Sequence, residues 1–277
     1  MIPENYIISW QQSAPWKDYS QIEQDLLISR TLIEIFSDRW LSRNLLFRGG
    51  TALYKLYFKE PVRYSEDLDF VMTEKGPVGD LFDTIRKKLD PVFKQSPVRL
   101  RKENSAVLKY RFISEFPPHS PRLIKIEINY SEINPVFKPV KIEYEMDNPW
   151  FGSKADICTY EFDELISTKL RALFQRKKGR DLFDLWMADE RGLADPNRVI
   201  DSFNKYTDHL CPTISRARFE KNLSSKITNK DFRTDITPLL RAGQEYDIDA
   251  AVMIIHDKFI KKLAGEPYSG ADNIFLR

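Results

Sequence analysis

The stretch LLFRGGTALYKLYFKEPVRYSEDLDFVM, residues 45–72, imposes a local chain order that few folds accommodate. Leu45, Leu46 and Phe47 read as a short buried strand, Gly49 and Gly50 end it, and TALYKLY carries a helical pattern. DLDFVM then returns as a second strand. Residues two apart on a strand leave on the same face, so Asp67 and Asp69 stand side by side while Leu68 turns into the core. Like charges at that separation repel. A protein that keeps both ionised needs a divalent cation between them or basic neighbours beside them.

Around this segment the periodicity assigns the remaining elements. Ile22, Leu26, Ser29, Ile33, Phe36 and Trp40 trace one face of a helix over 21–40, and PVGDLFDTIRKKLD reads as a second amphipathic helix. VRLRK (98–102), AVLKYRFI (106–113), RLIKIEINY (122–130) and PVKIEYE (139–145) alternate apolar and polar residues, as half-exposed strands do. From Phe162 onward the pattern is helical: ELISTKLRALF, DLFDLWMA, and stretches near 197–206, 215–227 and 246–263. The expected fold class is α+β, a mixed sheet with flanking helices followed by a C-terminal helical domain. Pro149 and Gly152 place the boundary so that 1–150 forms the α/β domain and 151–277 the helical one. The closing GEPYSGADNIFLR reads as a loosely held tail.

Composition narrows the setting. With 43 basic and 41 acidic residues the net charge is only +2, so a nucleic-acid site has to be a local patch. Arg99, Arg101, Lys102, Lys109 and Arg111 offer one, with a solvated sheet face as the plain alternative. Cys158 and Cys211 are too few and too isolated for a disulfide framework or a zinc site. His119, His209 and His256 are isolated and read as structural or surface residues, while Trp10, Trp16 and Tyr6 are candidates to cover a cleft edge. No apolar run of about 18 residues and no signal-like N-terminus occurs, so a cytoplasmic protein without membrane segments is expected.

The chemistry suggested by the carboxylates is metal-assisted phosphoryl transfer. Asp67 and Asp69 suit a hard cation, and magnesium is commonly held by carboxylates together with substrate phosphates. In RLIKIEINY the isoleucines share one face and Lys125, Glu127 and Asn129 the other, so Glu127 completes an acidic triad if that strand lies beside DLD, as metal ligand or general base. Gly49 and Gly50 let backbone N–H groups approach a phosphate at a helix start, and Thr51 adds a hydroxyl there. Taken alone, a glycine pair is most often a turn and Asp-x-Asp a solvated strand edge. Farther on, TKLRALFQRKKGRDLFDLW holds six basic residues from Lys169 to Arg180 with no acid between them. Asp181 and Asp184 follow on one helix face beside Leu182, Leu185 and Trp186, where they are expected to orient Lys or Arg side chains.

The order strand, Gly-Gly-Thr, helix, Asp-x-Asp resembles the signature of the polymerase β-like nucleotidyltransferase superfamily. Together, RGGTAL, RYSEDLDF, IKIEIN and STKLRALFQRKKGRDLFDLW resemble the AbiEii/AbiGii toxin family within it, and the likeness runs from the N-terminus to about residue 190. One departure is the spacing: 15 residues separate Thr51 from Asp67, slightly more than usual, with a longer loop at 58–62 as the excess.

The resemblance implies an enzyme that moves a nucleoside monophosphate from an NTP to an acceptor hydroxyl, with Mg2+ as cofactor. Gly49, Gly50 and Thr51 would hold the phosphates, Asp67 and Asp69 would bind the metal, and Glu127 would be the third acidic residue. Lys169 would reach the triphosphate, Asp181 matches the downstream motif aspartate, and Arg180 and Asp184 stand behind them. Arg63 and Ser65 are implied as loop-shaping or phosphate-adjacent. The acceptor implied is tRNA, at its 3′ end, with blocked translation as outcome, a cognate antitoxin as partner and phage defence as setting. A small-molecule or protein acceptor, or a catalytically silent nucleotide- or RNA-binding protein, remains an alternative.

Overall fold

The computed structural model describes residues 2–58, 60–208 and 213–276. Cys211 and His209 lie outside these residues, as does Lys59 of the expected 58–62 loop. The chain divides into two compact units, Met1–Tyr160 and Glu161–Arg277. The expected boundary at 150 falls ten residues earlier, because SKADICT, which follows the interruptions at Pro149 and Gly152, is a strand of the sheet.

In the first unit, α1 (Glu4–Ser9), α2 (Tyr19–Phe36) and α3 (Arg39–Asn44) lead into β1 (Leu45–Arg48) and a short helix, α4 (Gly49–Ala52), which continues as a π turn through Tyr57. Then come β2 (Asp67–Met72), α5 (Val78–Phe93), β3 (Val98–Arg101), β4 (Ser105–Ile113), β5 (Pro121–Asn129), β6 (Val140–Met146) and β7 (Ser153–Thr159). The seven strands order as β3-β4-β5-β2-β1-β7-β6, with β2 parallel to β5 and antiparallel to β1. This is the expected mixed sheet flanked by helices.

Helix α2 starts at Asp18, whose carboxylate accepts from the Ser20 N–H. It packs on the face formed by Phe47, Leu68, Phe70, Ile124, Ile126 and Ile128, all buried, with Phe36 and Phe70 rings 6.0 Å apart. The helix ends earlier than expected, and Trp40, in α3, is exposed. The carboxylates α2 carries into the interior are paired. Asp25 takes a hydrogen bond from the Trp10 indole at 2.8 Å and an ion pair from Lys55 at 2.6 Å. Glu23 accepts from Ser114 and the Glu115 N–H. Trp10 and Trp16 are thus core residues of this unit, with Trp16 edge-on to Tyr64.

Strand register decides what each face presents. Val98, Lys109, Lys125 and Asp67 form one row across the sheet; Leu100, Val107, Glu127, Asp69 and Arg48 form the next on the same face. Arg99 and Arg101 lie on the opposite face, where Arg99 pairs with Asp83 of α5. The expected basic concentration on β3 and β4 is therefore divided between two faces.

The second unit contains α6 (Phe162–Gln175), α7 (Gly179–Glu190), α8 (Pro196–Thr207), α9 (Arg216–Ile227), α10 (Lys230–Thr234) and α11 (Ile248–Lys258). Asp195, Asn229 and Asp247 cap the starts of α8, α10 and α11. The tail is held more firmly than its composition suggested. The Tyr268 N–H donates to Glu220, buried Asn273 donates to the Tyr268 carbonyl, and Phe275 stacks on the buried His256 ring at 4.0 Å. Among the described residues no helix is long and apolar enough to cross a membrane.

Gly179, the first residue of α7, is set against the α10 backbone: a Cβ there would lie 2.2 Å from the Phe232 carbonyl oxygen. Gly179→Ala forces backbone to move and is expected to cost about 1–3 kcal/mol, read as a lower urea midpoint against the unsubstituted chain.

Candidate active site

Parallel pairing of β2 with β5 puts Asp69 directly opposite Glu127 and Asp67 opposite Lys125. Antiparallel pairing with β1 puts Arg48 opposite Asp69 from the other side. The triad reasoned from alternation is thereby brought to one place on one face.

The glycine turn closes against it. Gly49 has φ +84°, and a Cβ at this residue would lie 2.6 Å from an Asp69 carboxylate oxygen. Two independent constraints thus demand glycine at 49. Thr51 is buried, and its hydroxyl donates to the Asp67 carbonyl at 2.5 Å and meets the Ser65 hydroxyl at 2.9 Å. Its hydroxyl is thus engaged in fixing the backbone entering the DLD strand rather than left open for a phosphate. Arg63 is buried over the Tyr54 ring and donates to the Tyr64 carbonyl, the loop-shaping role of the two expected.

The charges are closely balanced. Burial, and next to it the Asp67 charge, push the Asp69 carboxyl above the ordinary aspartate range, while Lys125 and Arg48 pull it part of the way back. Glu127 is in the reverse condition. Burial works against its charge, but hydrogen bonds from Lys102 (2.8 Å), Ser105 (2.7 Å) and Lys125 (3.0 Å) hold it down to about 2. A carboxylate so engaged is a poor general base, with both of its oxygens already accepting from groups of the chain itself. Lys125 also lies 3.5 Å from Asp67, and Arg48 is bound to Glu132 at 2.6 Å. Lys125, Lys102, Ser105 and Arg48 had no role at this site in the sequence-based expectations. The signal was available for two of them, since Lys125 shares the polar face of β5 with Glu127 and Arg48 precedes the glycine turn.

Among the described residues no group of three or more His, Cys, Asp or Glu side chains is arranged to hold a metal ion. The donor set nevertheless fits a hard cation. Asp67 and Asp69 supply oxygen donors from two adjacent carboxylates, and an ammonium group already lies beside Asp67. Two carboxylates with substrate phosphates completing the sphere is a common magnesium arrangement.

The second cluster lies within the helical unit. Lys169 on α6 is 2.8 Å from Asp184 and 3.5 Å from Asp181, both fully buried on α7. The expectation that these aspartates orient basic side chains holds, and Asp184 is the nearer. Arg176 clasps Asp181 in a bidentate pair, donating through Nε and Nη2 at 2.6 and 2.7 Å. Arg180, expected at the nucleotide, binds Asp235 through its backbone N–H and its guanidinium. Lys226 also escaped sequence reasoning. It is buried and donates to the Leu173 and Phe174 carbonyls, filling acceptors that the end of α6 leaves open.

The first unit is thus a seven-stranded mixed sheet with paired aspartates beside a glycine turn, and the helical unit bears a buried Lys–Asp cluster. The model described as "Nucleotidyl transferase AbiEii toxin, Type IV TA system" matches residues 30–253, and the chain belongs to that family. Among solved structures, the fold is similar to MenT4, the nucleotidyltransferase toxin Rv2826c from Mycobacterium tuberculosis H37Rv. That match has a TM-score of 0.63 at 17% identity over 96% of this chain and 91% of that one. An antigenic nucleotidyltransferase-like protein from Paracoccidioides brasiliensis matches with a TM-score of 0.36 at 14% identity, over 77% of this chain and 94% of that one. No curated protein matches the chain.

Two measurements test the geometry. Gly49→Ala displaces the Asp69 carboxylate and is expected to lower nucleotidyl transfer about 100-fold in steady-state assays, with the circular dichroism spectrum retained. Burial lowers the Lys226 pKa from 10.5 to about 8. Between those values the unfolded chain binds the extra proton, so this group's contribution to stability rises with pH and its cost is full below about 8. Lys226→Met leaves the α6 carbonyls unpaired, at about 1–3 kcal/mol. In denaturant titrations the gap between the parent and this variant is expected to widen from pH 7.5 to pH 10.

Proposed function

We propose that the protein transfers a nucleoside monophosphate from an NTP to an acceptor hydroxyl in a magnesium-dependent reaction, with the 3′ end of tRNA as acceptor and arrest of translation as outcome. The observation that carries this reading is the placement of Asp67 and Asp69 against the Gly49 turn, in register with Arg48 and Glu127. The acceptor oxygen attacks the α-phosphorus as the bond to the β-phosphate bridge oxygen breaks, and pyrophosphate leaves with the electron pair. Positioning and charge neutralisation supply most of the acceleration in such displacements.

Asp67 and Asp69 would hold the metal, which supplies Lewis-acid polarisation of the phosphates and a lower pKa for the attacking hydroxyl. Gly49 and Gly50 would turn backbone N–H groups toward the phosphates, with Thr51 fixing the turn to the DLD strand. Lys169 would supply charge for the triphosphate from the fixed position that Asp181 and Asp184 give it, and Arg180, bound to Asp235, stands behind it. The partners are an NTP, tRNA and a cognate antitoxin, in the cytoplasm, and phage defence is the setting in which such a toxin is useful. Glu127 enters this scheme as a neighbour of Lys125, developed below.

The test uses purified protein with magnesium, each radiolabelled NTP in turn and total bacterial tRNA, resolved on a denaturing gel. Label on tRNA is expected with one NTP, and Asp69→Asn should reduce it to below about 1% of the parent. Transfer to a protein or small molecule instead of tRNA would replace the acceptor. NTP binding without any transfer would overturn the enzymatic reading.

A further inference from the structure

Three features of β5 and its neighbours point the same way. First, the Lys125 ammonium is shared unequally: it is 3.0 Å from a Glu127 oxygen, a hydrogen-bonding distance, but 3.5 Å from Asp67, where attraction is purely Coulombic. Second, both Glu127 oxygens already have partners. One oxygen takes Lys102 and Ser105, and the other takes Lys125. Third, Lys125 keeps 25% of its side-chain surface exposed, so its ammonium can swing outward while its stem remains on the sheet.

We propose that Lys125 is a built-in stand-in for the metal: anchored on Glu127, it neutralises Asp67 whenever no cation is bound, competes with the divalent cation for that carboxylate, and yields Asp67 when cation and nucleotide arrive. Glu127 is then a positioning residue for Lys125 rather than a metal ligand. This inference rests on the nucleotidyltransferase reading. Its physical basis is that two adjacent aspartates repel and need a positive charge beside them, whereas a fixed positive charge weakens cation binding. A lysine on a flexible stem meets both requirements, since its weaker contact breaks first and its charge remains close enough to reach a phosphate oxygen. Arg48 cannot take this part, being held at 2.6 Å by Glu132.

The experiment measures Mn2+ binding to the full chain without nucleotide, from the free-Mn2+ electron paramagnetic resonance signal. The variants are Lys125→Met, Lys125→Gln, Glu127→Gln, the double substitution Lys125→Met with Glu127→Gln, and Asp69→Asn. Removing the competitor should tighten Mn2+ binding about tenfold in both Lys125 variants, although nucleotidyl transfer falls. Either variant suffices if the other does not fold. In the Lys125→Met background, Glu127→Gln should leave Mn2+ affinity within about twofold, because Glu127 no longer has a lysine to position. Unchanged or weaker Mn2+ binding in the Lys125 variants overturns the proposal, as does a tenfold loss on adding Glu127→Gln, which would make Glu127 a ligand. Asp69→Asn separates the two levels of inference. If it leaves Mn2+ binding intact, the metal reading of the site fails; if it abolishes binding while the Lys125 variants bind no tighter, only the competitor role fails.

Discussion

The repulsion between Asp67 and Asp69 organises the first unit. Both carboxylates leave one face of β2, and strand pairing on either side answers them with cations: Lys125 across the parallel ladder and Arg48 across the antiparallel one. Inserting β2 between β1 and β5 therefore places a charge pattern as well as a hydrophobic one. On the other face the same pairings align Phe47 with Phe70 and Leu68 with Ile126 beneath α2, so the register that builds the core also builds the site. A slip of one residue would turn both aspartates into the core, and the cost of burying them unpaired forbids it.

The glycine turn is tied to that register by contact rather than by proximity in sequence. The Gly49 backbone approaches the Asp69 carboxylate more closely than any side chain permits, and Thr51 is bonded to the Asp67 carbonyl across the intervening loop. The extra residues between Thr51 and Asp67 do not loosen this arrangement, because its two ends are fastened to each other. The loop is further braced from inside by Arg63, whose guanidinium lies over Tyr54.

Much of this was legible in the sequence. The strands in VRLRK, AVLKYRFI and RLIKIEINY show themselves by alternation, and the DLD strand by its sharp boundary; the helical face of Asp181 and Asp184 follows from a spacing of three. What stayed hidden depends on partners distant in sequence. SKADICT has only a few buried side chains and sits behind a Pro and a Gly, so nothing local shows that it pairs with both β6 and β1. The Arg180 partner lies 55 residues downstream, and the tail is fixed by a buried glutamate on another helix. At the site, the one acid of IKIEIN, Glu127, is legible from alternation, whereas the place of Lys125 beside Asp67 follows only from the pairing of β5 with β2.

The two units solve a similar electrostatic problem separately. In each, a lysine is held by a pair of carboxylates: Lys125 by Asp67 and Glu127, Lys169 by Asp181 and Asp184. The difference lies in burial. Asp181 and Asp184 are completely buried, and Lys169 is only 7% exposed, so removing that lysine would leave buried negative charge that Arg176 balances only in part. Lys125 stands beside a half-exposed Asp67 and can exchange partners at lower cost. The helical cluster is accordingly built to keep its lysine in a fixed place, and the sheet cluster to let its lysine go.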